Sequence, residues 1–342
     1  MPARSSTWRE SVILDFRFWI LDLRRVRAPW VAALACLFVA NFARAEATSQ
    51  SQIPHPKSQI ATGAPYLWKI ESAGHKPSWI FGTIHLQRPD VATLAPAVRD
   101  AADKADAVYT ELPMDTETIL GLTPKLMIPD GKTLGDLLGA QLTADLTAEL
   151  KATNPALALT LAPLDHMKPW AVAASLVELD DQMKYPGVLP LDIVIFQRGA
   201  MAGKEVGGLE TPDEQLAIFE DLTAAEQVAL LRDTITQLRA VRATGRTPSD
   251  ILAELYLAGD LDKLVEELMK WDAAGGDAEF NDQLMERLLY KRNAIMAERI
   301  EKKLHEHPQT SFLFAVGAAH LQGPRGLLAD LEKAGYKLTR AQ

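Results

Sequence analysis

Cysteine is nearly absent from this 342-residue chain. Cys36 is the only one, and it lies in an apolar run near the N-terminus. The rest of the chain can therefore hold neither a disulfide framework nor a thiolate metal centre. No His-Glu-x-x-His helix and no Gly-x-Ser-x-Gly elbow occurs, so the commonest zinc-peptidase and serine-hydrolase signatures are missing. The segment Gly199-Ala200-Met201-Ala202-Gly203-Lys204-Glu205 looks superficially like a phosphate loop. Its glycines are one residue too close, and no Ser or Thr follows Lys204. Basic residues are few, with 36 Lys and Arg against 45 Asp and Glu and a net charge of −9. No basic cluster is present to neutralise a phosphate backbone, which excludes nucleic acid as a partner. Low-complexity arrays are also missing, and so are internal repeats, apart from one pair of short segments.

The N-terminus reads as an export signal. Arg24, Arg25 and Arg27 precede the apolar run Val31 to Ala40, and Ala43-Arg44-Ala45 offers a cleavage site before Glu46. The run is too short to span a bilayer comfortably. The charged region ahead of it is long and contains Glu10, Asp15 and Asp22, which points to a start further along the chain. Cys36 has Ala33 where a lipobox calls for Leu, which argues against lipidation. Loss of residues 1–45 removes seven Arg and three acids and moves the net charge from −9 to −13. The expected product is periplasmic or secreted, with no stable membrane span. Residues 46–65 are polar, contain Pro54, Pro56 and Pro65, and read as a flexible leader.

From residue 66 onward the pattern predicts a single α/β domain. Tyr66–Ile70 and Trp79–His85 read as strands joined by the turn Ala73–Pro77, a helix follows over 94–104, and Ala107–Thr110 is a third strand. Helical apolar spacing then dominates from about 116 to 305, in Leu142–Ala152, Lys168–Met183, Asp192–Ala202, Asp213–Phe219, Ala224–Val241 and Asn281–Lys303. Lys204–Glu210 offers one further strand inside that block. The chain closes as strand Ser311–Val316, helix Gly323–Ala334 and edge strand Tyr336–Thr339. This order predicts a central mixed sheet formed from both chain ends, with a large helical insertion between them.

Two segments near opposite ends resemble one another. Trp79–His85 and Phe312–His320 each run from an apolar strand into Gly-x-x-His. Glycine at a strand end permits close backbone approach, and a histidine three residues later reaches the carboxyl edge of the sheet. His85 and His320 are thus candidate metal ligands, against the plainer reading of two histidines bonded in ordinary turns. Glu111 and Glu210 each end a predicted strand and are candidate ligand carboxylates, the latter equally explained by a following helix N-terminus. Asp192 opens a predicted helix, where N-capping is its simplest duty. Arg292 lies on a helical face and is either solvated or a clamp for an anion. His305 and His307 in His305-Glu306-His307-Pro308 suggest a second metal site, against the plainer reading that they follow a charged helix end, where cations suit the dipole.

The segments Phe81–His85, Tyr109–Leu112, Leu191-Asp192, Gly208–Thr211 with Glu214–Leu216, Lys291–Asn293 and Val316–Leu321 together resemble the TraB/GumN family, which includes the Tiki proteases. The resemblance runs from about Tyr66 to Leu338. It implies a fold akin to the erythromycin-esterase and ChaN group. It further implies metal-dependent proteolysis, with manganese or cobalt favoured and zinc compatible. Carried over by position, His85 and His320 become metal ligands or catalytic histidines, Glu111 and Glu210 ligand or general base, and Arg292 and Asp192 second-sphere or substrate-orienting groups. The expected activity is that of an exported metal-dependent hydrolase acting on a peptide or protein. The alternatives are a non-catalytic exported binding or assembly factor, linked for example to envelope or exopolysaccharide biology, and metal-free His/Glu hydrolysis.

Overall fold

A computed structural model describes residues 64–129, 131–154, 164–273 and 278–341. The expected export signal and nearly all of the leader lie outside these residues. Six strands form one sheet: β1 (Leu67–Glu71), β2 (Ser78–Thr83), β3 (Ala107–Thr110), β4 (Glu205–Gly208), β5 (Phe312–Gly317) and β6 (Lys337–Arg340), in the order β4-β3-β5-β2-β1-β6. β4, β3, β5 and β2 run parallel, whereas β1 pairs antiparallel with β2 and β6 antiparallel with β1. The C-terminal β5 therefore lies between two N-terminal strands, with Ala107 opposite Phe312 and Trp79 opposite Leu313. The expected mixed α/β sheet built from both chain ends is present.

Composition explains the arrangement. Phe312, Leu313, Phe314, Ala315 and Val316 are all buried, without polar alternation, as a parallel strand covered on both faces requires. β6 alternates exposed Lys337 and Thr339 with half-buried residues and closes one edge.

The helices are α1 (Pro89–Ala92), α2 (Pro96–Lys104), α3 (Thr116–Leu122), α4 (Leu134–Thr153), α5 (Pro169–Lys184), α6 (Leu191–Met201), α7 (Pro212–Glu220), α8 (Ala224–Arg242), α9 (Pro248–Ala258), α10 (Leu261–Ala273), α11 (Ala278–Met285), α12 (Lys291–Glu306) and α13 (Leu327–Lys333). Four differences from the sequence reading matter for the site. β2 ends at Thr83, so His85 stands on a loop rather than on a strand. The helix expected over 281–303 is interrupted by a π turn, Glu286–Tyr290, which ends two residues before Arg292. α9 and α10 are additions to the expected helices, although Thr247 and Asp250 form a capping box at the start of α9. Asp192 is not an N-cap: Pro190 precedes the helix, and Asp192 lies inside its first turn.

Gly82 shows why the first motif needs glycine. A Cβ there would stand 2.7 Å from Leu321 Cδ1, 3.0 Å from Tyr66 Cβ and 3.1 Å from the Ala318 backbone. The strand end thus packs directly on the turn that carries His320. Gly82→Ala is expected to destabilise the fold by about 1–3 kcal/mol through overpacking. Gly121→Ala, in a helix with open space around it, is expected to be neutral or to stabilise by up to about 1 kcal/mol. Urea denaturation of the two variants measures the contrast, and equal midpoints would refute the packing argument.

Candidate active site

Four parallel strands place their carboxyl ends along one edge of the sheet. The residues just past those ends are Ile84-His85 after β2, Glu111 after β3, Leu209-Glu210 after β4 and Ala318–His320 after β5. Pairing continues beyond the strands: Leu209 N–H donates to Thr110 O at 2.8 Å, and Glu210 N–H to Glu111 O at 2.7 Å. Register alone therefore sets Glu111 and Glu210 side by side.

Arg292, in the first turn of α12, joins them. Its Nε donates to Glu210 Oε1 at 2.9 Å and its Nη2 to Glu210 Oε2 at 2.6 Å. Nη2 also donates to Glu111 Oε2, and Nη1 reaches Leu288 O of the π turn at 3.1 Å. All three side chains are buried. Burial works against the Arg292 charge, and the two carboxylates more than restore it. Arg299, further along the same helix, donates to Leu209 O at 2.6 Å and grips Glu214, steadying the turn that carries Glu210.

Glu111 is fully engaged. Its Oε1 accepts the Gly317 N–H at 2.6 Å and lies 3.6 Å from His320 Nε2, while Oε2 also accepts from Gln215 at 3.1 Å. A Cβ on Gly317 would stand 3.1 Å from that Oε1, so the second motif's glycine also serves close approach. Burial pushes the Glu111 carboxyl up, but His320, Arg292, His85 and the Gly317 N–H hold it well below the usual range. His320 is neutral above about pH 4, so at neutral pH that depression rests on the other three. Burial raises the Glu210 carboxyl, against the pull of Arg292.

The two histidines differ sharply. His320 is buried, and its Nδ1 meets Asn293 Oδ1 at 2.6 Å. Asn293 Nδ2 donates to Arg325 O at 2.8 Å, which fixes the amide and makes its oxygen the acceptor. His320 Nδ1 therefore carries the proton, and Nε2 presents its lone pair towards Glu111. Burial lowers the His320 pKa to about 4, with Glu111 opposing and Arg292 and His85 reinforcing. His85 is 53% exposed, and its Nδ1 stands 2.7 Å from Oδ2 of the buried Asp192. Oδ2 lacks an aligned donor, so charge rather than a directed hydrogen bond holds this pair; Oδ1 accepts from Thr83. The Asp192 charge raises the His85 pKa, with Glu111 and Glu178 adding to the rise, and half the ring stays open to solvent. His85, His320 and Glu111 thus act on one another through charge, and Asp192 acts on His85.

Sequence reasoning misses Asn293, Gln215, Thr83 and Glu178 as site groups. Asn293 adjoins Arg292 and is the easiest of them to find. Glu178, on α5, carries a carboxyl raised first by burial, with His85 opposing and Asp192 and Asp181 adding to the rise. No signal in its own stretch of chain marks it. The predicted pair His305 and His307 lies at the far end of α12 and takes no part here.

Among the described residues, no group of three or more His, Cys, Asp or Glu side chains is arranged to hold a metal ion. The donor types nevertheless fit a borderline divalent cation. His320 has Nδ1 engaged by Asn293, which leaves Nε2 for a ligand, the arrangement that metal-binding histidines adopt, and His85 Nδ1 lies 2.7 Å from the Asp192 carboxylate. The buried carboxylates Glu111, Glu210 and Asp192 also outnumber the one buried guanidinium, so with neutral imidazoles the centre carries excess negative charge.

Fold and site together define an α/β protein whose centre of paired imidazoles and carboxylates lies at the carboxyl edge of parallel strands. The profile of the TraB/PrgY/gumN family matches residues 66–340, and the chain belongs to that family. It is 26% identical to the metalloprotease TIKI2 of Danio rerio, over 90% of this chain and 67% of that protein. It is 26% identical to the metalloprotease TIKI1 of Homo sapiens, over 92% and 70%. A metalloprotease TIKI homolog of Nematostella vectensis is 24% identical, over 90% and 74%. No solved structure matches significantly. Among the described residues, no helix is long and apolar enough to cross a membrane.

The buried histidine gives the fold a defined response to acid. Its folded pKa of about 4 lies below the 6.5 of a free imidazole, so the unfolded chain takes up that proton first. The stability gained by burying it neutral is complete above about pH 6.5 and is lost as the pH falls towards 4. Glu214, pulled down to about 2 first by Arg299, acts in a lower window: its contribution is present above about pH 4.5 and is lost as the pH falls towards 2. The urea midpoint of metal-free protein is expected to drop between pH 6.5 and 4, and less steeply in His320→Gln. Identical slopes would contradict the buried neutral imidazole.

Proposed function

We propose that the protein is an exported metal-dependent hydrolase that cleaves peptide bonds, on a fold of the erythromycin-esterase and ChaN kind. The observation that carries this reading is the buried His320, with Nδ1 held by Asn293 and Nε2 turned to Glu111, in one charge network with His85 and its Asp192 partner. The metalloprotease names of the relatives support it. In this reading His85, His320 and Glu111 hold the ion. What a divalent ion supplies there is Lewis acidity towards a carbonyl and a water made acidic near neutral pH.

The chain's own groups then divide the work. Asn293 sets the tautomer of His320, and the Asp192 charge holds His85. Glu210 meets Arg292 with both oxygens and so orients the guanidinium. Arg292 supplies fixed positive charge for an oxyanion on the substrate carbonyl. Glu111, strongly acidic and bonded to Arg292, is a poor proton acceptor. Glu178 is raised by burial, with the His85 charge opposing, and accepts a long hydrogen bond from Gln182 at 3.3 Å; as the more basic of the two carboxylates it is assigned the proton from water. A second reading, hydrolysis without a metal, is favoured by one fact: Arg292 already neutralises much of the carboxylate charge.

Elemental analysis of native protein, paired with a peptide-library cleavage screen, separates the readings. Wild type is expected to retain a divalent ion and cleave peptides, and His85→Ala and His320→Ala to lose both properties. Cleavage that survives exhaustive chelation would favour the metal-free route, and a folded protein with neither ion nor cleavage would leave a binding factor. Glu178→Gln is expected to keep its metal and lose about 10²–10⁴-fold in kcat. Unchanged kcat in that variant would return the base role to Glu111.

A further inference from the structure

His85 sits on a loop with half its side chain in solvent, yet its ring must stand at a set height above the strand end to work with His320. Leu86 buries itself in the core and anchors the loop beyond the histidine. One apolar anchor on one side does not fix that height. Two polar tethers from α9 bracket the same stretch. The Tyr256 hydroxyl donates to Gly82 O at 2.7 Å, three residues before His85. Arg88 Nη1, three residues after it, donates to Asp250 Oδ1 at 2.8 Å.

Each tether is itself braced. The Tyr256 ring packs edge-on against Tyr66, with centroids 4.9 Å apart, and the Tyr66 hydroxyl donates to Leu255 O at 3.3 Å. Asp250 Oδ2 accepts the Thr247 N–H at 3.1 Å in the capping box, which leaves Oδ1 for Arg88. Arg88 also holds Asp90 in the first turn of α1 and lies 3.9 Å from Asp181 of α5, which accepts from Ser249 of α9.

We infer that α9 is a splint for the first Gly-x-x-His motif, with Tyr256 and Asp250 as positioning residues that act on His85 through Gly82 and Arg88. This assignment rests on His85 being a working group, as proposed above. Part of the helical insertion thereby holds one of the two histidines in place.

The test uses full-length protein stripped of metal. Wild type is compared with Tyr256→Phe, Asp250→Asn and the double variant, and Arg246→Gln at the exposed pair with Glu254 serves as control. Amide hydrogen exchange is read over residues 82–88 and 312–320, after which Co²⁺ is titrated calorimetrically. Each single variant is expected to speed exchange in 82–88 and leave 312–320 unchanged. Co²⁺ affinity is expected to fall about 10-fold in each and further in the double variant, with the control matching wild type. Wild-type exchange rates in 82–88 for both single variants would overturn the splint. A wild-type protein that takes up no Co²⁺ overturns the metal reading instead, and the exchange measurement still decides the splint. Should Tyr256→Phe fail to fold, Asp250→Asn keeps an amide oxygen for the cap and carries the same readouts.

Discussion

The buried guanidinium of Arg292 is the contact on which the rest of the site depends. Two carboxylates set side by side by strand register repel one another and lose hydration, and neither cost is tolerable without a cation between them. Arg292 supplies that cation with a planar fork that meets both oxygens of Glu210 and one of Glu111. Lysine, a single point charge, would reach only part of this geometry. The arginine arrives from α12, whose chain leads directly into β5 and His320. One helix therefore delivers the counter-charge, the amide that orients His320, and the next strand of the sheet.

The two Gly-x-x-His motifs look equivalent on paper and are not equivalent in the fold. Both glycines serve close approach, Gly82 towards the His320 turn and Gly317 towards Glu111. Their histidines then enter opposite environments. His320 is enclosed beside Arg292 and stays neutral, whereas His85 faces Asp192 and solvent and attracts a proton. One imidazole is thus a fixed neutral donor, and the other sits where the field favours positive charge. That asymmetry comes from the neighbours that α6 and α12 bring, since the strand ends themselves are alike.

Much of this is legible in the sequence, for identifiable reasons. The unbroken apolar run of β5 requires burial on both faces, and Gly-x-x-His at two strand ends signals close approach, so the central sheet and the pairing of its ends can be read. Carboxylates at strand ends point to Glu111 and Glu210. What escapes depends on distance along the chain. Asn293 meets His320 across 27 residues, and Glu178 acts on His85 from a helix nearly a hundred residues away. The sequence carries His85 onto β2 because Ile84 extends the apolar pattern past the last paired residue. The π turn before Arg292 leaves no mark because apolar spacing continues through it. α9 escapes although Thr247-Pro248-Ser249-Asp250 is a readable helix start.

The helical insertion contributes what strands cannot. A sheet edge alone fixes backbone positions, and four strand ends would leave their side chains to solvent and to one another. Here Asp192 comes from α6, Glu178 from α5, Gln215 from α7, and the Tyr256 and Asp250 tethers from α9. Each meets a strand-end group with a complementary charge or hydrogen bond. The carboxylates so gathered exceed the positive charge available from Arg292, and the raised pKa of His85 is the local response to that imbalance. The same field that raises the His85 pKa would favour a cation beside it. A divalent cation in that place would satisfy the same field while releasing His85 to act as a ligand.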